Sequence, residues 1–172
     1  MYSEKISVSN LMNRKVQADF EDQNIGSACN IMYANHIGCV IIVTHDANRT
    51  PVGIITERDI VRILVKLYPE LLQKPLRALM STPLITIEQS ASINDATKLM
   101  YNKKIRRLVA VDSNNKMTGI LTQRDIFNAI DKDPNLFPEF YGNTFSSKFN
   151  EIYERYNKYR LENLVPEFEK YG

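Results

Sequence analysis

The sequence predicts a mixed α/β (α+β) fold in which one β-α-β-β-α unit occurs twice, with a helical extension behind it. Residue pairs recur at one constant offset: Leu11-Met12 with Leu79-Met80, Met32-Tyr33 with Met100-Tyr101, and Val43 with Val111. After a loop that differs in length by two residues the match resumes, with Gly53-Ile54-Ile55-Thr56-Glu57-Arg58-Asp59-Ile60 against Gly119-Ile120-Leu121-Thr122-Gln123-Arg124-Asp125-Ile126. Within each copy, short β-branched runs alternate with segments of helical spacing, which defines the unit.

The repeat assigns the first unit to 7–68, a linker to 69–75, the second unit to 76–131 and an extension to 132–172. Each unit opens with an extended piece, 15–18 or 84–87. Asn24 and Ser92 follow as N-caps, residue types whose side-chain oxygens accept from orphaned first-turn amides. In the helix after Ser92, the apolar residues Ile93, Ala96, Leu99 and Met100 share one face. The unbroken runs 37–43 and 105–111 suit strands buried on both faces. Loops rich in Asn and Asp, 45–50 and 112–116, turn the chain into second strands at 51–55 and 117–121, and a helix closes each unit. Pro69 and Pro75 mark the linker. A unit of about 55 residues buries only about 60% of its unfolded surface, so the two are expected to pack sheet to sheet as a pseudo-two-fold pair with two equivalent clefts.

At 172 residues, 44% of them apolar and 24% charged, the chain has the make-up of a small globular protein, and a large multidomain enzyme is not expected. A net charge of +2 gives no global reason to bind nucleic acid, so any basic patch is local. No apolar run approaches the roughly 20 residues of a membrane span, and the start lacks a signal peptide; a soluble, cytoplasmic protein is expected. Cys29 and Cys39 lack CxxC spacing and read as buried free thiols, and His36 and His45 have no ligand-spaced partners, which argues against zinc.

The repeated Thr-x-x-Asp falls at a strand-to-helix junction, where backbone amides and the helix dipole favour an anion. Thr56 and Thr122 would offer hydroxyls, Arg58 and Arg124 charge-assisted hydrogen bonds to phosphate, and Asp59 and Asp125 acceptors for ribose hydroxyls. The same spacing is a capping box, and spacing alone leaves both readings open. A second signal, Lys103-Lys104-Ile105-Arg106-Arg107, enters a strand, where alternation allows only one of Arg106 and Arg107 to face a given cleft. It serves as solvated charge, as a ligand-phosphate site, or, with the basic Tyr-rich stretch 153–160, as a nucleic-acid contact. No GxSxG, HExxH, GxxxxGK[ST] or GxGxxG is present, so no catalytic set is indicated, and His36 reads as a packed or surface histidine.

Over roughly 7–131 these features resemble a tandem pair of cystathionine β-synthase (CBS) domains, the Bateman module: Leu-Met before an extended segment, the Ile-Arg-Arg-Leu-Val-Ala-Val strand, and Gly-Ile-(Ile/Leu)-Thr-x-Arg-Asp in both copies. The resemblance implies a regulatory, non-catalytic module. It would bind AMP, ADP, ATP or S-adenosylmethionine in the clefts, with AMP foremost and no obligatory cofactor. Ribose then falls to Asp59 and Asp125 and phosphate to Thr56, Thr122, Arg58 and Arg124. The adenine walls fall to Val16, Ile37 and Gly38 in one unit and to Leu84, Ile85, Ile105 and Arg106 in the other. His36-Ile37-Gly38-Cys39 departs from the Arg-rich pattern, so the Arg106 side is the one expected to take a charged ligand.

The family also implies a homodimer, for which Ile60, Ile63, Leu64 and Leu67, with Ile126, Phe127 and Ile130, could supply contacts unless they pack internally. In the extension, Phe137, Phe140, Tyr141 and Phe145 suggest an aromatic loop. Phe149, Ile152, Tyr156 and Tyr159 predict an amphipathic helix over 146–164 that docks on the module or on a dimer partner. An unidentified protein partner in trans completes the expectation.

Overall fold

The computed structural model describes residues 6–65 and 72–141. Its first half runs α1 (Val8–Leu11), β1 (Ala18–Phe20), α2 (Ile25–Asn35), β2 (Cys39–Val43), β3 (Pro51–Thr56) and α3 (Glu57–Val65). A 3-10 turn at Leu76–Ala78 leads to β4 (Thr86–Glu88), α4 (Ile93–Lys103), β5 (Arg107–Val111), β6 (Met117–Thr122) and α5 (Gln123–Lys132). A second such turn at Pro134–Leu136 precedes α6 (Phe137–Tyr141). Both expected N-caps form: the Ser27 amide donates to Asn24 Oδ1 at 3.1 Å and the Asp95 amide to Ser92 Oγ at 3.1 Å. The opening strands begin later than 15 and 84, where the chain comes alongside the central strands and Ala18 lies opposite Ile41 and Thr86 opposite Val109.

Each half carries one three-stranded sheet, ordered β1-β2-β3 or β4-β5-β6, parallel in its first pairing and antiparallel in its second. The ladders match position for position, with Cys39 opposite Thr56 and Arg107 opposite Thr122. The central strands explain their unbroken apolar runs. Val40 and Ile42 face the helices of their own half, while Ile41 and Val43 meet Val109 and Val111 between the sheets. Leu108 and Ala110 face the other helical core. Side chains alternate at period two and both faces are covered, so no polar position interrupts the strand.

The segments that open each copy cross over. Val8 and Met12 are buried in the core of the second half, and the Val8 amide donates to the Ala91 carbonyl at 2.8 Å. Leu76 is buried in the core of the first half, its amide donating to the Gln23 carbonyl at 2.7 Å. Methionine sets the approach: a Cβ on Gly119 would lie 2.6 Å from Met12 Sδ and 3.0 Å from the Asn13 carbonyl oxygen, and one on Gly53 would collide with Met80 Sδ. Only glycine leaves that space.

The second half is also covered by α6. The stretch expected as an aromatic loop is helical over Phe137–Tyr141, because Phe137 and Phe140, one turn apart, both insert into the core beside α4. Thr97 Oγ1 and Asn94 Nδ2 donate to the Phe140 carbonyl at 2.6 and 3.2 Å, and the Ile6 amide donates to Glu139 Oε1 at 2.7 Å. The helix expected over 146–164 and Phe145 lie outside the described residues. Cys29 and Cys39 are free, as expected, but half-buried rather than buried, and burial pushes the Cys29 thiol pKa up. Among the described residues no helix is long and apolar enough to cross a membrane, and no cluster of three His, Cys, Asp or Glu could hold a metal.

Asp19, on β1, is a local conflict. It is 8% exposed and pairs with Ile42, at the position that Ile87 occupies in the second half. Its Oδ1 accepts from the Phe20 amide, while Oδ2 has no hydrogen-bond partner among the described residues. Leaving a buried acceptor unpaired costs about 1–3 kcal/mol. Asp19→Val is therefore expected to raise stability by about 1 kcal/mol or more in urea unfolding, and a lowered midpoint would refute this account of the site.

Candidate functional site

The repeated Thr-x-x-Asp sits where β3 passes into α3 and β6 into α5. Thr56 Oγ1 and its amide donate to Asp59 Oδ2 at 2.6 and 2.9 Å, and the Asp59 amide returns to Thr56 Oγ1 at 3.4 Å. Thr122 and Asp125 repeat this with 2.6, 2.8 and 3.3 Å. Both copies are thus capping boxes in geometry. Capping does not exhaust the carboxylate, because it engages Oδ2 alone. Among the described residues Asp59 Oδ1 has one ionic neighbour, Arg62 Nη1 at 3.5 Å, while the equivalent of Arg62 in the second copy is the uncharged Asn128.

One cavity of about 270 Å³ opens at the first junction. Its floor is Thr56, Arg58 and Asp59 with Gly38 from the first half; its far wall is Leu84, Ile85, Ile105 and Arg106 from the second. Eight of the expected site residues therefore converge on one place, and the wall is supplied by the opposite half. Val16, Ile37, Thr122, Arg124 and Asp125 lie outside it, on the other side of the pseudo-two-fold, with Val16 packed between the sheets and Ile37 against the first helical core.

Sequence reasoning missed Arg62 and Arg107 as lining residues. Arg62 was legible as the residue three after Asp59 on the same helical face. Arg107 was set aside by strand alternation, and here the structure differs: both Arg106 and Arg107 line the cavity. The reason is local. Lys104 ends α4 in the left-handed region at φ 54°, its amide returning to the Met100 and Tyr101 carbonyls, and the ladder starts only at Arg107. Arg106 lies in the turn before the strand, so the two side chains are not bound to opposite faces. Arg107 Nη1 donates to the Gly38 carbonyl at 3.3 Å, tying the halves together at the cavity. Lys103, the first residue of the basic cluster, is outside the cavity, and 153–160 lies outside the described residues. His36, equivalent to Lys104, is an exposed left-handed C-cap at φ 52°.

The helices that close each unit show which apolar residues pack inward. Ile63, Ile126 and Ile130 are buried in the cores and Ile60 packs against one, so these four are internal contacts. Val61, Leu64 and Val65 on α3 and Phe127 on α5 stay exposed, with Val65 at 74% and Phe127 at 47%. Leu67 lies outside the described residues.

Two sheets flanked by helices, joined by crossed-over segments around a cavity that draws on both halves, define a tandem-repeat α+β module. The CBS domain family model matches residues 8–66 and 76–132, and the chain belongs to that family as a tandem pair. A protein of Methanopyrus kandleri is 38% identical over 121 residues; the alignment takes in 70% of this chain and 61% of that protein, less than two thirds of its length. Among solved structures, a CBS domain protein from Pyrobaculum aerophilum complexed with AMP aligns with TM-score 0.64 and 27% identity, covering 70% of this chain and 89% of that one. The CBS domain pair of protein MJ0100, in complex with 5-methylthioadenosine and S-adenosyl-L-methionine, aligns with TM-score 0.66 at 22% identity over 75% and 98% of the two chains.

The cap geometry predicts that Thr122→Val, which removes the hydroxyl that both donates to and accepts from Asp125, lowers stability by about 1 kcal/mol in urea unfolding. No change would show that the box does not hold the start of α5.

Proposed function

We propose that this chain is a regulatory, non-catalytic module that binds adenosine-containing ligands such as AMP between its two CBS units and passes its occupancy to a protein partner in trans, in the cytoplasm. The observation that carries this reading is the cavity in which the Thr56–Asp59 box of one unit faces an apolar and basic wall from the other. Leu84, Ile85 and Ile105 present apolar surface to a purine. Asp59, an acceptor only, suits a pair of ribose hydroxyls through the oxygen the cap leaves open. Arg58 and the start of α3 suit a phosphate. The AMP carried by the Pyrobaculum relative supports the same ligand class here. A second site is proposed at Thr122, Arg124 and Asp125, with Val16 and Ile37 as its wall; Gly38, expected beside those two, lines the first cavity instead.

A ligand that touches both units favours their packed arrangement over any looser one by mass action, and that shift is the signal a partner reads. The exposed Val61, Leu64 and Val65 of α3 and Phe127 of α5 are the homodimer contact in this reading. Nucleic acid is the weaker reading, because Arg106 and Arg107 line a concavity instead of spreading over a face.

Isothermal titration with AMP at two salt concentrations is expected to show saturable binding at one or two sites per chain, weakened only modestly by salt. Silence with AMP, ATP and S-adenosylmethionine, together with steeply salt-dependent retention of RNA, would replace this reading with the nucleic-acid one. Asp59→Asn keeps a cap acceptor but loses the charge; it is expected to weaken AMP binding at that cleft by about 1.5–3 kcal/mol while leaving urea unfolding nearly unchanged. Lost stability with intact affinity would reduce Asp59 to a cap. In sedimentation, the parent chain is expected as a dimer and Leu64→Glu/Phe127→Glu as a folded monomer; a monomeric parent would remove the dimer from the proposal.

A further inference from the structure

We infer that the two clefts differ in charge selectivity, and that the one at Asp59 is built for an adenosine ligand with more than one phosphate, discriminating against a cationic sulfonium ligand. The inference rests on the adenosine reading above and adds the ligand's charge to it. Five cationic side chains, Arg58, Arg62, Lys104, Arg106 and Arg107, line the cavity against two carboxylates, Glu57 and Asp59. Only Arg62 has an ionic partner among the described residues; Arg58, Lys104, Arg106 and Arg107 have none within 4 Å. Asp59 in turn is paired with Arg62, which leaves Glu57 as the one remaining lining carboxylate against the other four cations.

Like charges held around a concavity repel one another, and an anion that enters relieves the repulsion while gaining charge-assisted hydrogen bonds. One phosphate at the start of α3 is within the scope of Arg58 alone. The cations supplied by the opposite unit, Lys104 and Arg106, remain for a second and a third phosphate. S-adenosylmethionine carries a sulfonium and an ammonium against one carboxylate and would add positive charge to a site already in surplus.

The second cleft lacks this surplus. At the positions equivalent to Arg62, Lys104, Arg106 and Arg107 the repeat has Asn128, His36, Gly38 and Cys39, and Gln123 stands for Glu57. The ladder register fixes the last equivalence, since Cys39 faces Thr56 as Arg107 faces Thr122. Arg124 remains, and Lys15 stands for Pro83, against Asp125. The excess is one positive charge there and three at the first cleft.

The test is calorimetric titration of the full chain, without magnesium, against adenosine, AMP, ADP, ATP and S-adenosylmethionine, repeated on K104Q/R106Q. Both replaced side chains are exposed, so folding is expected to persist, with a thermal melt as the check. The expected result is affinity rising severalfold with each added phosphate and S-adenosylmethionine weakest at the high-affinity site. The double variant should lose at least tenfold more affinity for ATP than it loses for adenosine. A flat ranking from adenosine to ATP, equal affinity for S-adenosylmethionine, or a variant that weakens adenosine and ATP alike would overturn the charge selectivity while leaving an adenosine site in place. Binding of none of the five would overturn the adenosine reading itself, and the selectivity with it.

Discussion

The central strands β2 and β5 are apolar on both faces, and everything else in the molecule answers that constraint. A three-stranded sheet with helices on one side leaves the residues of the other side, Ile41 and Val43 or Val109 and Val111, in water. Burying them needs a second sheet of the same kind, and the repeat supplies it. Burial of four such side chains contributes on the order of 1.5–3 kcal/mol each relative to exposure, a large fraction of the net stability of a small domain. Packing two like units face to face brings the junction after β3 beside the turn before β5. The cavity is a consequence of how the core is closed.

That origin accounts for the division of labour at the site. The Thr-Asp box belongs to one unit and is fixed by its own hydrogen bonds, so its geometry does not depend on a ligand. The opposite wall belongs to the other unit and reaches the box through a left-handed turn and the Arg107–Gly38 contact. Duplication made the two boxes equal. Divergence fell on the walls, where His36-Ile37-Gly38-Cys39 and Lys104-Ile105-Arg106-Arg107 occupy equivalent positions with different charge.

Much of this is legible in the amino-acid sequence. The repeat, the caps at Asn24 and Ser92, both buried strands and the Thr-Asp boxes follow from local chemistry and spacing, and eight of the expected site residues meet in one cavity. What escaped depends on tertiary arrangement. Alternation sets Arg107 aside wrongly because the ladder starts only at Arg107, two residues after the run opens at Ile105, so Arg106 is still in the turn. Apolar spacing on α3 and α5 could not say which side faces the sheet, so inward Ile63 and Ile126 were grouped with outward Leu64 and Phe127. Nothing in a stretch such as Gln17-Ala18-Asp19-Phe20 announces that Asp19 is the one turned inward.

The crossed-over openings have a consequence for how the chain acquires its structure. Val8 and Phe140 share one core, and the Ile6–Glu139 hydrogen bond closes a separation of 133 residues. The second unit cannot complete its core from its own contiguous residues, and the first borrows Leu76 from beyond its closing helix. Closing contacts at that separation costs more loop entropy than local pairing does and slows folding relative to a chain of local contacts. During synthesis, Ile6 and Val8 must therefore wait for Glu139 and Phe140 before that core closes, which ties the folding of the two duplicated halves together instead of leaving them as two beads on a string.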